Sequence, residues 1–192
     1  MDETLQAALA AAGVLDELGV RWFFGGSLAS SVHGIPRATF DADIMADLRP
    51  QHVRPLLQKL GEEWYADESA IRDAVSQRSS FNLIHFATAM KVDVFLPKLR
   101  RFDGGEFARS RMTSVSADGV VQAPVCCAED IVVAKLEWYR LGGEDSERQW
   151  GDVLGVLRLN AGRLDLDLLR ESAAEVGVTD LLERVLHEAR PD

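Results

Sequence analysis

Trp22-Phe23-Phe24-Gly25-Gly26-Ser27 and, after thirteen intervening residues, Asp41-Ala42-Asp43 form the stretch that decides how this 192-residue chain is read. Trp22–Phe24 is a short aromatic run, which reads as a buried strand. Gly25-Gly26 lets the backbone turn tightly and come close to a ligand, since glycine has no Cβ. Residues 27–33 can open a helix, and a glycine turn feeding a helix N-terminus leaves N–H groups pointing outward, where phosphate binds. Asp41 and Asp43 sit in Phe40-Asp41-Ala42-Asp43-Ile44-Met45. On a strand, positions i and i+2 point to the same face. Two carboxylates side by side repel, so a fold keeps them together mainly to hold a divalent cation. A phosphate cradle and a cation clamp in one stretch suit chemistry on a nucleoside triphosphate. The plainer alternative is a capping serine, a turn and two aspartates at a strand mouth.

Working outward, the composition is that of a globular chain, 47% hydrophobic. No run of about 18 apolar residues occurs, so no membrane span is expected. The acidic N-terminus, Met1-Asp2-Glu3-Thr4, lacks a signal-peptide pattern. Cys126 and Cys127 are adjacent, a poor disulfide with no zinc-like spacing. Together these features point to a cytoplasmic protein. A net charge of −10 argues against tight nonspecific nucleic-acid binding. One segment runs against that trend. Lys91, Lys98, Arg100, Arg101, Arg109 and Arg111 outnumber Asp93, Asp103 and Glu106 there, either to meet phosphates or as a solvated loop.

Periodicity places the motifs on elements. Leu5, Leu9, Ala12, Leu15 and Leu18 predict a helix over 3–18. Strands are expected at 21–24 and 40–46, with the helix 27–33 between them broken by Gly34-Ile35-Pro36. Pro50 opens a helix to about Leu60, and 67–77 reads as another. Phe81–Phe86 and Met90–Phe95 form a hairpin around Ala87-Thr88-Ala89. Residues 97–111 read as loop-rich, and Val120–Cys127 as extended. Helices are expected at Glu129–Leu141, 145–160, 165–176 and 178–189. The expected architecture is therefore α+β: a mixed sheet flanked by helices over 1–125, then a helical C-terminal part over 126–192. His33, His52, His85 and His187 are scattered without ligand spacing, and the four tryptophans read as core or interface.

Gly25-Gly26-Ser27 with Asp41-Ala42-Asp43 resembles the signature of the nucleotidyltransferase superfamily, which includes DNA polymerase beta: an apolar residue, Gly, Gly or Ser, a spacer, then Asp, apolar, Asp or Glu. That resemblance implies a third carboxylate on a later strand. Asp93, in Lys91-Val92-Asp93-Val94-Phe95-Leu96-Pro97, is the candidate, a charge in a strand-like apolar run. The chain is also similar to the abortive-infection (AbiEii-like) branch, whose toxins belong to type IV toxin–antitoxin systems. Arg37-Ala38-Thr39 before Asp41, Ala128–Leu136 and Arg148-Gln149-Trp150-Gly151-Asp152-Val153 carry that second likeness. It implies that Lys135 and Asp152 belong to the active site. Read from the helical pattern alone, Lys135 equally fits a snorkelling surface lysine and Asp152 a helix-surface acid.

The resemblance implies an enzyme that moves an NMP from an NTP to a hydroxyl and releases pyrophosphate. The expected metal ligands are Asp41, Asp43 and Asp93, holding Mg²⁺ or Mn²⁺. The expected catalytic set adds Lys135 and Asp152. Nucleotide binding falls to Gly25, Gly26, Ser27, Arg37 and Lys135. The acceptor stays open: tRNA, with an antitoxin partner, in the abortive-infection reading; a small molecule of the aminoglycoside type; or no acceptor at all, in a nucleotide- or partner-binding module.

Overall fold

The apolar stripe Leu5, Ala8, Ala12 and Leu15 forms one side of helix α1, Glu3–Glu17, which buries it on a sheet. This is seen in a computed structural model, which describes residues 3–37, 39 and 41–190. Ala38 of the Arg37-Ala38-Thr39 motif, and Phe40 at the start of the strand expected over 40–46, lie outside the described residues. In chain order the next elements are strand β1 (Trp22–Phe24), helix α2 (Gly26–His33) and strand β2 (Asp41–Ala46). A 3₁₀ turn at Pro50–His52 leads into α3 (Val53–Leu60), followed by β3 (Trp64–Tyr65), α4 (Glu68–Gln77), β4 (Ser80–His85) and β5 (Met90–Phe95). The remainder is α5 (Arg101–Arg109), β6 (Arg111–Ser114), β7 (Gln122–Val125), α6 (Ala128–Leu141), α7 (Glu147–Leu159), α8 (Leu166–Val176) and α9 (Thr179–Glu188).

The seven strands make one mixed sheet in the order β3-β4-β5-β2-β1-β7-β6. β2 runs parallel to β5, and β1 parallel to β7; the other pairs are antiparallel. The α+β class with helices closing the chain is as expected. Side-chain alternation then divides the sheet. Trp22, Phe24, Ala42, Ile44, Val92 and Val94 turn to the face covered by α1, where Trp22 Nε1 donates to Asp16 at 2.7 Å. Phe23, Asp41, Asp43, Asp93 and Phe95 turn to the other face. Phe23 meets Phe107 of α5 there, and Phe95 meets Trp138 of α6.

Two segments differ from their sequence reading. The loop expected over 97–111 holds a helix, Arg101–Arg109, and ends at the first residue of a strand, Arg111–Ser114. Gly104-Gly105 gives the segment low helix propensity, but burial of Phe102 and a reciprocal Arg100–Asp103 cap at its start overcome that penalty. The basic excess is accordingly mostly paired, with Arg101 and Arg111 in no ion pair among the described residues. Lys91 pairs with Asp93, Lys98 with Glu137, Arg100 with Asp103 and Glu137, and Arg109 with Asp130. The short edge strand Trp64–Tyr65 has too few residues to show a pattern. It exists because it pairs with Ile84 and His85.

Gly26 has φ +50°, and a Cβ there would overlap the Asp43 carboxylate. Both features demand glycine. Gly26→Ala is therefore expected to lower the urea midpoint by about 2 kcal/mol or more of stability. Gly25→Ala, where a Cβ meets nothing within 4 Å, is expected to leave the midpoint unchanged.

Candidate active site

The parallel pairing of β2 with β5 sets Asp43 directly beside Asp93 and Asp41 beside Lys91. Three carboxylates and one ammonium thus share one face of two adjacent strands. The α2 turn closes on them: Gly25 N–H donates to the Asp43 carbonyl at 3.0 Å, and Ser27 N–H to Asp43 Oδ2 at 3.3 Å. Thr39 Oγ1 donates to Asp41 Oδ1 at 2.9 Å. Lys91 Nζ is drawn onto Asp93 Oδ2 at 2.6 Å, and the other oxygen, Asp93 Oδ1, is buried with no hydrogen-bond partner.

Like charges leave a mark on this cluster. Burial, then the neighbouring Asp41 and Asp93, push the Asp43 carboxyl up to about 6, against the opposing pull of Ser27 N–H and Lys135. Lys91 is held above its ordinary value, first by its bond to Asp93 and then, against burial, by the charges of Asp41 and Asp43.

A second constellation locks Lys135 in place. Asp152 accepts from Arg37 through both oxygens, Nε to Oδ1 and Nη2 to Oδ2, each at 2.9 Å. It also accepts from Lys135 Nζ at 2.8 Å. The same Arg37 Nη2 donates to Ser27 Oγ at 2.8 Å. Burial works to raise the Asp152 carboxyl, but Arg37 and Lys135 outweigh it and hold it below the usual range. Asp152 is thereby suited to orient Lys135 and poorly suited to take a proton. Lys135 itself is buried, contrary to the snorkelling alternative.

Gly25, Gly26, Ser27, Asp41, Asp43 and Lys135 all line one cavity of about 570 Å³. Arg37, Asp93 and Asp152 are absent from its wall and stand next to residues that form it. The donors fit a hard divalent cation: carboxylate oxygens, one of them orphaned, with mutual repulsion awaiting relief. Among the described residues no three acidic, histidine or cysteine side chains converge into a finished ion cage. At that corner Lys91 is already bound to Asp93.

Sequence reading missed other wall residues. Arg148 and Gln149 precede Asp152 by four and three positions, which places them on the same face of α7. That spacing was the available signal. Arg148 is in no ion pair among the described residues, and Gln149 Oε1 is buried without a partner. Trp138, half exposed, and Glu106 also line the wall, and no local pattern marks either of them. His33 is structural, its Nε2 lying 2.7 Å from the Cys126 carbonyl. No helix among the described residues is long and apolar enough to cross a membrane.

No protein-family model matches the chain, nor does any curated protein. Solved structures do. The solution structure of the antibiotic-resistance factor ANT(2'')-Ia aligns with TM-score 0.54 and 14% identity, over 98% of this chain and 100% of that one. Its crystal structure in complex with adenylyl-2''-tobramycin gives TM-score 0.55 and 14% identity over 92% and 98%. The lincosamide antibiotic adenylyltransferase LnuA, lincomycin-bound, gives 0.51 and 15% over 81% and 96%. The fold is that of the nucleotidyltransferases. These neighbours bear on the fold and add nothing for the abortive-infection branch.

The raised Asp43 carboxyl has a thermodynamic consequence. The folded protein keeps that proton up to about pH 6, whereas the ordinary value is 3.8. Stability from this group is therefore full below pH 3.8 and falls as pH rises to 6. Without divalent cation, Asp43→Asn is expected to be more stable than wild type at pH 7.5, by an amount on the order of 3 kcal/mol. The difference should vanish near pH 4. Thermal melts at the two pH values check this; an advantage independent of pH would refute it.

Proposed function

We propose that this protein is a nucleotidyltransferase that moves a nucleoside monophosphate from an NTP to a hydroxyl of a small-molecule acceptor. The observation that carries this reading is the convergence of the α2 turn, the Asp41–Asp43 pair and Lys135 on one cavity of about 570 Å³. Mg²⁺ or Mn²⁺, held by Asp41, Asp43 and Asp93, would neutralise phosphate charge and acidify the acceptor hydroxyl. The chain's own groups do the rest. At the α2 turn Gly25 and Ser27 N–H are held by Asp43, so the turn would meet the β- and γ-phosphates chiefly through Gly26 N–H and the helix N-terminus. Lys135, fixed by Asp152, presents a point charge to the phosphate oxygens. Arg37 holds Ser27 and Asp152 in one frame. The acceptor oxygen forms a bond to the α-phosphorus as the bond to the bridging oxygen breaks. Pyrophosphate leaves, and the hydroxyl proton passes to a cavity-lining carboxylate of the Asp41–Asp43 pair.

A small acceptor is favoured over tRNA on two grounds. The chain is acidic overall, at −10. Four of the six cations of the basic segment near the site are also engaged in internal ion pairs, which leaves Arg101 and Arg111 outside ion pairs among the described residues, too few for a track along a nucleic-acid backbone. LnuA and ANT(2'')-Ia, the latter seen with an adenylylated antibiotic, are enzymes of this small-molecule kind.

The test is labelled transfer. Protein with Mg²⁺ and each α-labelled NTP is given a pool of hydroxyl-bearing small molecules, and separately total tRNA, with the Asp41→Asn/Asp43→Asn protein as control. Label in the small-molecule fraction with wild type alone is the expected result. Label in tRNA would move the protein to the toxin reading and call for an antitoxin partner. Intact nucleotide binding with no label anywhere would leave a binding module. Asp43→Asn should abolish turnover with the fold preserved, and Lys135→Met should lower it by about 100-fold.

A further inference from the structure

The third carboxylate of the acidic corner already has a cation. Asp93 is level with Asp43 across the β2–β5 pairing, yet Asp41 and Asp43 line the cavity and Asp93 does not. Lys91 Nζ holds its Oδ2 at 2.6 Å, and its Oδ1 is buried with no hydrogen-bond partner. Lys91 stands two residues before Asp93 on β5, so strand alternation puts both on the face that carries Asp41 and Asp43. It is also level with Asp41. The other cations nearby are engaged elsewhere: Arg37 and Lys135 both pair with Asp152. Within the corner itself, one ammonium is set against three carboxylates.

The two partners differ in what separation costs them. Asp93 is buried, at 9% exposed, so without a cation it would be an uncompensated charge beside a second carboxylate. The Lys91 side chain is 42% exposed. Its stem is flexible and its head strongly hydrated, so it can swing into water at little cost. Asp93 therefore needs a cation, whereas Lys91 does not need Asp93. A divalent cation carries twice the charge of an ammonium and takes several oxygen ligands at once. The orphaned Asp93 Oδ1 is one such oxygen not yet in use.

We propose that Lys91 is a resident counter-ion that competes with the divalent cation for Asp93, so that the three-carboxylate site is complete only when Lys91 withdraws. That a cation belongs at this corner rests on the transfer reading above. The competition is measured without nucleotide and without turnover.

The probe is Mn²⁺, its free concentration read by electron paramagnetic resonance. Lys91→Met keeps a flexible apolar stem and removes the charge. It is expected to bind Mn²⁺ about tenfold more tightly than wild type. Loss of any positive charge near the corner would raise the affinity a little, so the deciding comparison is made without Asp93. In an Asp93→Asn background, Lys91→Met should gain about twofold or less, because there is no carboxylate left to compete for. An equal gain with and without Asp93, or no gain with it, would overturn the proposal. A second measurement on wild type depends on no variant's folding. The Lys91 ammonium, followed by nitrogen NMR, should shift as diamagnetic Mg²⁺ is added; a resonance unchanged at saturating Mg²⁺ would also overturn the proposal. Failure of the two readings looks different. Mn²⁺ bound equally by wild type and Lys91→Met removes only the role of Lys91. Mn²⁺ bound by neither removes that role together with the cation of the transfer reading.

Discussion

Pairing β2 and β5 in parallel, with Asp43 level with Asp93, places like charges on neighbouring strands, and much of the site answers to that constraint. Residues opposed in register face the same side of a sheet, so the carboxylates cannot turn away from one another without breaking the alternation that buries Ala42, Ile44, Val92 and Val94. The repulsion is relieved locally. Lys91 leans onto Asp93, the α2 backbone donates to Asp43, and Thr39 donates to Asp41. Glycine at position 26 follows from the same crowding, since any side chain there would meet the Asp43 carboxylate.

Cations elsewhere in the chain are apportioned with similar economy. Arg37 and Lys135 share Asp152, while Arg100 and Arg109 take Asp103 and Asp130. These pairs are partly or wholly buried, so each charge depends on its partner for solvation. An acidic chain arranged in this way leaves few positive charges at the cavity outside ion pairs, Arg148 among them. Incoming ligands must then supply or balance charge themselves. In the transfer reading proposed above, nucleotide and cation would complement the Asp41–Asp43 corner.

Local patterns were legible where the physics is local. The i, i+2 aspartates, the glycine turn and the amphipathic helices near both ends all lie close to their expected positions. The segment 97–111 was misread because its helix depends on burying Phe102 and on a bond from Phe102 N–H to Glu175, 73 residues away. Glycines within the segment pointed the other way. Lys135 could be read as a surface residue for the same reason: nothing in α6 says that Asp152, on the next helix, will reach it. In the sequence Glu106 is one charge in a basic run. Its lack of a partner becomes visible once Arg100 and Arg109 are seen to be engaged.

The sequence by itself determined the α+β class and the corner built from Gly25, Gly26, Ser27, Asp41 and Asp43, because backbone freedom and side-chain alternation act over a few residues. Asp93 needed the resemblance to single it out, and it needed the β2–β5 register to bring it beside Asp43. Tertiary structure alone decided which charges are paired and which are left for a ligand. That outcome depends on distances between groups far apart in the chain, and on the low dielectric in which those groups meet.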